Sequence, residues 1–228
     1  MLVLVAASCA PAGTEVNNTT GTTTTETTAE TTTTETVATT PPAAATTAEE
    51  NKPMSAYENK VAELHTSEGD IHIRFFPDVA PGHVKNFLDL AGKGFYDGTL
   101  FHRVIAGFMI QGGDPNTKGG GNPAAWGTGG SGEYVKAEFN TVSHKRGIVS
   151  MARAQSPDSA SSQFFIVVAD SKFLDRNYTV FGQVTKGMDV ADKIVASAQG
   201  SERPANPVKI NSVTVRDAKP DETGPAPK

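Results

Sequence analysis

A single cysteine, Cys9, leaves this chain unable to close a disulfide within itself, so whatever folds must be held by its core alone. Basic residues are missing from the start: residues 1–50 hold six acids, Glu15, Glu26, Glu30, Glu35, Glu49 and Glu50, and no Lys or Arg. The formal charge of the whole chain is −5, and with those six set aside the remainder stands near +1. A balance so close to zero excludes the strong positive field that nucleic acid or an anionic membrane surface would require. The five histidines, at 65, 72, 83, 102 and 144, show no ligand spacing and have no cysteine partner among them. Neither a metal centre nor a cofactor is therefore expected.

Long hydrophobic runs are also scarce. The opening MLVLVAASCA is apolar and ends in small residues before Cys9, and it resembles the end of a bacterial lipoprotein signal, which is cut ahead of a cysteine that then carries lipid. Eight residues precede Cys9 with no Lys or Arg among them, so residues 1–9 are expected to be the last part of such a signal. Residues 10–53, as in GTTTTETTAETTTTETVATTPP, are Thr, Glu, Ala and Pro with almost nothing that could be buried to offset the entropy of ordering them. They read as a disordered tether with a root-mean-square reach on the order of 35 Å. Residues 54–217 are then a folded domain of comfortable size for one core, and residues 218–228, AKPDETGPAPK, a disordered C-terminal tail. The placement that follows is outside the cytoplasm, lipid-anchored to the cell membrane at Cys9.

Within the domain, VAELHTSEGDIHIRFF (61–76) alternates apolar and polar residues about a Glu-Gly-Asp turn, which predicts a two-stranded hairpin. Pro77 and Pro81 break that pattern, and Val84, Phe87, Leu88 and Ala91 recur at helical spacing. A second helix is predicted over 188–198, with Val190, Ala191, Ile194 and Val195 as its stripe. Between the helices lie short apolar runs, FHRVI, FMIQ, GIVSMA, QFFIVV and TVFGQV, and VKINSVTVRD supplies a last alternating strand. Many short strands with two helices predict a mainly β protein, a closed antiparallel barrel capped at its ends. GTGGSG (127–132) matches G-x-G-x-x-G in form alone, since no strand leads into it and no helix follows.

Two segments depart from ordinary core strands. In extended geometry Arg103 and Ile105 share a face, Met109 and Gln111 share one with each other after the Ala106-Gly107 break, and Gln163 and Phe165 lie opposite Phe164 and Ile166. One phenylalanine can then serve the core while its neighbour lines a cleft. FHRVIAGFMIQGGD, SMARAQSPDSASSQFFIVV and FLDRNYTVFGQVTKGMDV follow one another in an order and spacing that resemble the cyclophilin peptidyl-prolyl isomerases. That resemblance covers most of residues 58–217 and implies a closed eight-stranded antiparallel β-barrel with two α-helices and a proline-binding groove on its outer surface. Carried over residue by residue, it places the catalytic arginine at Arg103 and hydrogen-bonding glutamines at Gln111 and Gln163. The apolar pocket falls on Phe108, Met109, Phe165 and Leu174, and the main chain that pairs with a peptide on Ala152, Arg153 and Ala154. Phe173 stands where many members have Trp, and Tyr178 where some have His; both are expected at the groove.

The activity so implied is cis-trans isomerisation of X-Pro bonds in exported, unfolded proteins, by a monomer bound to the membrane through its lipid alone. An X-Pro bond resists rotation by about 18–20 kcal/mol because the nitrogen lone pair is delocalised into the carbonyl. At the half-turn that pair is free, and a guanidinium aimed at it binds the twisted form better than either planar one. The guanidinium does not titrate near neutrality, so a nearly flat rate from about pH 6 to 8 is expected. The competing reading is a non-catalytic module that holds proline-containing peptides at the cell envelope.

Overall fold

The computed structural model describes residues 53–227. Cys9 and residues 10–52, where lipid anchor and tether are expected, lie outside the described residues. Eight strands are present: β1 (Lys60–Thr66), β2 (Gly69–Phe75), β3 (Arg103–Ile105), β4 (Met109–Gly112), β5 (Ile148–Met151), β6 (Phe164–Val167), β7 (Val180–Lys186) and β8 (Ile210–Asp217). They form one antiparallel sheet in the order β3-β4-β6-β5-β7-β2-β1-β8. Two helices, α1 (Pro81–Gly92) and α2 (Met188–Ser197), complete it. Both helices, the hairpin and every strand predicted from the sequence are found, within a few residues at their ends.

The sheet is an open half-barrel, and the ladder expected to close it fully is not present. Its outermost strands, β3 and β8, do not pair with each other. Irregular chain laces the gap instead: Gly98 donates to the Ile210 carbonyl at 2.8 Å, Ile210 to Thr99 at 2.8 Å and Phe101 to Val208 at 2.9 Å, while Val104 of β3 donates to Glu202 at 2.9 Å. A three-residue edge strand is too short to carry a ladder on both sides, so a loop covers its free edge.

The concave face holds the core. Val84, Phe87, Leu88 and Ala91 of α1, and Val190, Ala191 and Ile194 of α2, are buried against it, as the helical spacing requires. At its centre Phe87 meets Tyr96 at 4.8 Å, Phe164 at 5.3 Å and Phe181 at 5.5 Å between ring centroids. The first turn of α1 has no capping side chain of its own, since Ala80 and Pro81 open it. Glu138, far along the chain, serves instead: its carboxylate accepts from the main-chain N–H groups of Gly82 (2.9 Å) and His83 (3.0 Å) and from the His83 ring (2.6 Å). Burial pushes the Glu138 carboxyl up, but those donors outweigh it and hold the group below its ordinary range.

Residues beyond Asp217, expected as a disordered tail, are instead held against the sheet as far as the description reaches. Arg216 donates to both oxygens of Glu222, at 2.6 and 2.8 Å, and to Glu63 at 2.5 Å. Glu222 is buried, Gly224 accepts from Arg74 at 3.2 Å, and Ala226 packs on apolar side chains of the convex face. One bidentate ion pair offsets the entropy of fixing a short polar segment, which composition alone does not reveal. The bonds to Arg216 lower the Glu222 carboxyl from 4.5 to about 2. A group lowered on folding stabilises fully above its unfolded value, so this clasp is complete above about pH 4.5 and weakens as pH falls toward 2. Limited proteolysis near Pro220 is expected to accelerate on acidification over that range, and already at pH 7 in Glu222→Gln.

Candidate active site

On the convex face, the strand register assembles what the sequence scatters. Arg103 pairs across to Gln111, Gln111 to Phe165 and Phe165 to Ser150, so these four form one row over β3, β4, β6 and β5. The next row is Ile105, Met109 and Val167. Because side chains alternate along a strand, the neighbours Val104, Ile110, Phe164 and Ile166 all point into the core. Met109, Phe165, Val167 and Leu174 are buried in a second, separate apolar cluster, with Phe108, Ile105, Ala152 and Tyr178 half-buried around it. The result is an apolar slot outside the barrel core with Arg103 in the row beside it.

The walls of the slot are aromatic. Tyr178 meets Phe165 edge-on at 5.8 Å, and Phe108 meets Phe173 at 5.2 Å. Phe173 is 68% exposed and so belongs to the rim, whereas its neighbour Leu174 is buried in the slot. Arg103 is half-buried, and Glu202 approaches it, with Nε to Oε2 at 3.6 Å. That distance is an ion pair without a hydrogen bond, and the terminal nitrogens of the guanidinium are not engaged by the carboxylate.

The glutamines are oriented by a relay. Gln111 Nε2 donates to Gln163 Oε1 at 2.9 Å, and Gln163 Nε2 donates to the Gly129 carbonyl at 2.8 Å. With its nitrogen so used, Gln111 Oε1 accepts no hydrogen bond among the described residues and stands in the row beside Arg103. Asp114, fully buried, fixes the loop that supplies Gly129 by accepting from the N–H groups of Asn116 (2.8 Å), Gly127 (2.5 Å) and Gly129 (3.4 Å). A Cβ at Gly129 would lie 2.2 Å from the Asp114 carboxylate, which explains glycine there better than any nucleotide motif. Nearby, Gly113 has φ +83°, and a Cβ would stand 2.5 Å from the Ser162 carbonyl. Gly113→Ala is expected to cost at least ~2 kcal/mol from left-handed strain and overlap together, read as a shift in the urea midpoint.

Behind Phe165 lies a support that sequence reasoning missed. The His144 ring stacks on Phe165 at 6.2 Å, with Nδ1 2.9 Å from Asp175 Oδ1 and Nε2 3.1 Å from Ser150 Oγ. A Ser-His-Asp line of this kind suggests a nucleophile, but Ser150 is fully buried and donates to the Thr179 carbonyl at 2.8 Å. Its place is structural. Burial lowers the His144 pKa against the opposing pull of Asp175, so the ring stays neutral at pH 7. Only an Asp following Leu174 hinted at this in the sequence, without naming its partner.

Of the three residues expected to offer main chain to a peptide, Ala152 already gives its N–H to Gln163 at 2.9 Å, and Ala154 gives its own to Ser159 Oγ at 2.9 Å. The main-chain N–H and C=O of Arg153 form no hydrogen bond among the described residues. Among those residues, no cluster of three or more His, Cys, Asp or Glu is arranged to hold a metal, and no helix is long and apolar enough to cross a membrane.

Residues 61–215 match the family described as cyclophilin type peptidyl-prolyl cis-trans isomerase/CLD. Peptidyl-prolyl cis-trans isomerase B of Escherichia coli (strain K12) is 45% identical over 168 residues, covering 67% of this chain and 97% of that protein. Peptidylprolyl isomerase domain and WD repeat-containing protein 1 of Mus musculus is 44% identical over 158 residues, 68% of this chain, yet the chain spans 24% of its length. Among solved structures, a cyclophilin type peptidyl-prolyl cis-trans isomerase of Cryptosporidium parvum, determined in the presence of the dipeptide Ala-Pro, superposes with a TM-score of 0.61 at 31% identity. That match covers 69% of this chain and 99% of the other.

Proposed function

Since the chain belongs to the cyclophilin-type peptidyl-prolyl cis-trans isomerases, and is an enzyme of that class, we propose that it turns X-Pro bonds of exported polypeptides, with Arg103 stabilising the half-turned amide. One observation carries this reading: the row Arg103, Gln111, Phe165, set beside an apolar slot on the convex face.

The proline ring enters the slot over Met109, Phe165 and Leu174, whose burial supplies affinity without specifying cis or trans. Gln111 and Gln163, locked by the Gly129 carbonyl, hold the peptide carbonyl side while the nitrogen side turns. As conjugation is lost, the nitrogen lone pair becomes an acceptor and Arg103 donates to it. An acceleration of about 10⁵ requires roughly 7 kcal/mol of differential binding. One charge-assisted hydrogen bond contributes less than half of that, so fixed dipoles and exclusion of water by the apolar walls supply the rest.

Turnover of a short blocked X-Pro peptide by the full chain tests the reading. A rate nearly constant from about pH 6 to 8 is expected, because the proposed mechanism uses no general acid or base, and burial pushes the His144 ring further below its ordinary value. A bell-shaped profile centred near neutrality would sink the arginine mechanism. Tight binding of proline peptides without turnover would favour the envelope-bound adaptor. We further assign the protein to the outer side of the cytoplasmic membrane, anchored by lipid at Cys9; the mass of the mature amino terminus tests this, and an unmodified Cys9 would refute it.

A further inference from the structure

The Arg153 guanidinium is held in place and left without a counter-ion. Its Nε and Nη2 donate to the Asn177 carbonyl at 3.3 and 3.1 Å, and its Nη1 to the carbonyls of Ala154 and Gln155, each at 3.0 Å. The group also lies 4.8 Å over the Tyr178 ring, which itself walls the slot at Phe165. Four of five N–H donors are thus spent on neutral carbonyls. Three other arginines are ion-paired, Arg216 with Glu63 and Glu222, Arg146 with Asp192 and Arg103 with Glu202, whereas Arg74 and Arg203 also donate to neutral oxygens but lie away from the slot. Among the described residues no carboxylate comes within 4.0 Å of Arg153. Asp158, the acid nearest in sequence, accepts from the Ala137 N–H at 2.8 Å; Asp175, beyond Asn177, is turned inward onto His144 and Ser143, and Arg176 beside it adds charge of the same sign as Arg153.

This fixed cation stands where the main chain of Arg153 is free while those of Ala152 and Ala154 have N–H partners already. An extended peptide laid along that edge would bring a flanking side chain beside the guanidinium. We propose that Arg153 is a specificity-determining residue, favouring X-Pro segments that carry an acidic side chain next to the isomerised bond and disfavouring basic ones. The inference rests on the slot being the proline site. Because the charge is already in place and its carbonyl partners are neutral, it acts on the bound peptide as a standing potential and affects KM more than kcat.

The test uses the full chain and short blocked peptides that share one Ala-Pro bond and place Glu, Gln or Lys at one flanking position at a time. At one position, kcat/KM is expected to favour Glu over Lys by about fivefold in low salt, the upper end of what a partly exposed ion pair contributes. The difference should reside in KM and fall below about twofold near 0.5 M salt, where screening acts within a few ångströms. Arg153→Lys should retain the preference and Arg153→Gln should lose it. Equal turnover of all three peptides at every position, a preference insensitive to salt, or one that persists in Arg153→Gln would overturn the proposal. Failure to turn over even the neutral Gln peptides would instead remove the slot reading on which it depends.

Discussion

Arg103→Ala is expected to lower kcat for a short X-Pro peptide by about 10²–10³, the loss typical of deleting one donor aimed at developing transition-state charge. Peptide affinity should change by less than about threefold, because in the proposed mechanism the proline ring is gripped by the apolar cluster of Met109, Phe165 and Leu174 and not by the guanidinium. Stability should hardly move: the ion-pair partner of Arg103 among the described residues is Glu202, 54% exposed and 3.6 Å away, and such pairs contribute about 0–1 kcal/mol. The separation of these three readouts is the point of the experiment. A lost kcat with affinity and melting temperature kept identifies differential binding of the twisted amide. Equal loss of affinity and rate would mean that Arg103 holds the ground state and that the mechanism proposed for it is wrong. Arg103→Lys should recover part of the rate, since a charge remains but the planar fork does not.

The largest effect on stability is expected one residue away from the site. Phe164→Ala removes a fully buried ring that touches Phe87, Tyr96 and Phe101, at 5.3, 5.7 and 6.4 Å, and should cost about 3–5 kcal/mol. Against a total of roughly 5–15 kcal/mol, that is a drop in melting temperature on the order of 10 °C. Phe165→Ala, its immediate neighbour, opens the slot instead, and its damage should appear first as weakened peptide affinity. Adjacent residues with the same side chain would then fail in different assays. Identical behaviour of the two variants would contradict the assignment of Phe164 to the core and Phe165 to the convex face.

That split was legible in the sequence because strand periodicity is a local rule: in QFFIVV the alternation assigns Phe164 and Phe165 to opposite faces before any fold is known. The same rule paired Arg103 with Ile105 and Met109 with Gln111, and the register then placed them in common rows. Helical spacing likewise marked the buried stripes of α1 and α2. What stayed hidden depends on residues far apart in the chain. Nothing in FPDVAPGHV reveals that Glu138 caps α1, and nothing in GTGGSG reveals that Gly129 must approach Asp114 closely and hand its carbonyl to Gln163. His144 and Asp175 meet only once two loops are brought together behind Phe165. The tail hides for a related reason: its composition is that of a disordered segment, but Arg216 on β8, itself held by Glu63 on β1, offers Glu222 a partner.

The margin of the sheet gives Arg103 an unusual seat. β3 has β4 on one side, and on the other a main-chain bond from Val104 to the Glu202 carbonyl. The stiffness that the role proposed for Arg103 needs is borrowed from the 199–206 loop, which can be shortened or lengthened without breaking any strand ladder. A deletion there should leave a barrel that melts normally and turns over peptide poorly. The loop joining α2 to β8 would then be a natural dial for tuning rate, adjustable by evolution or by design while the core stays untouched.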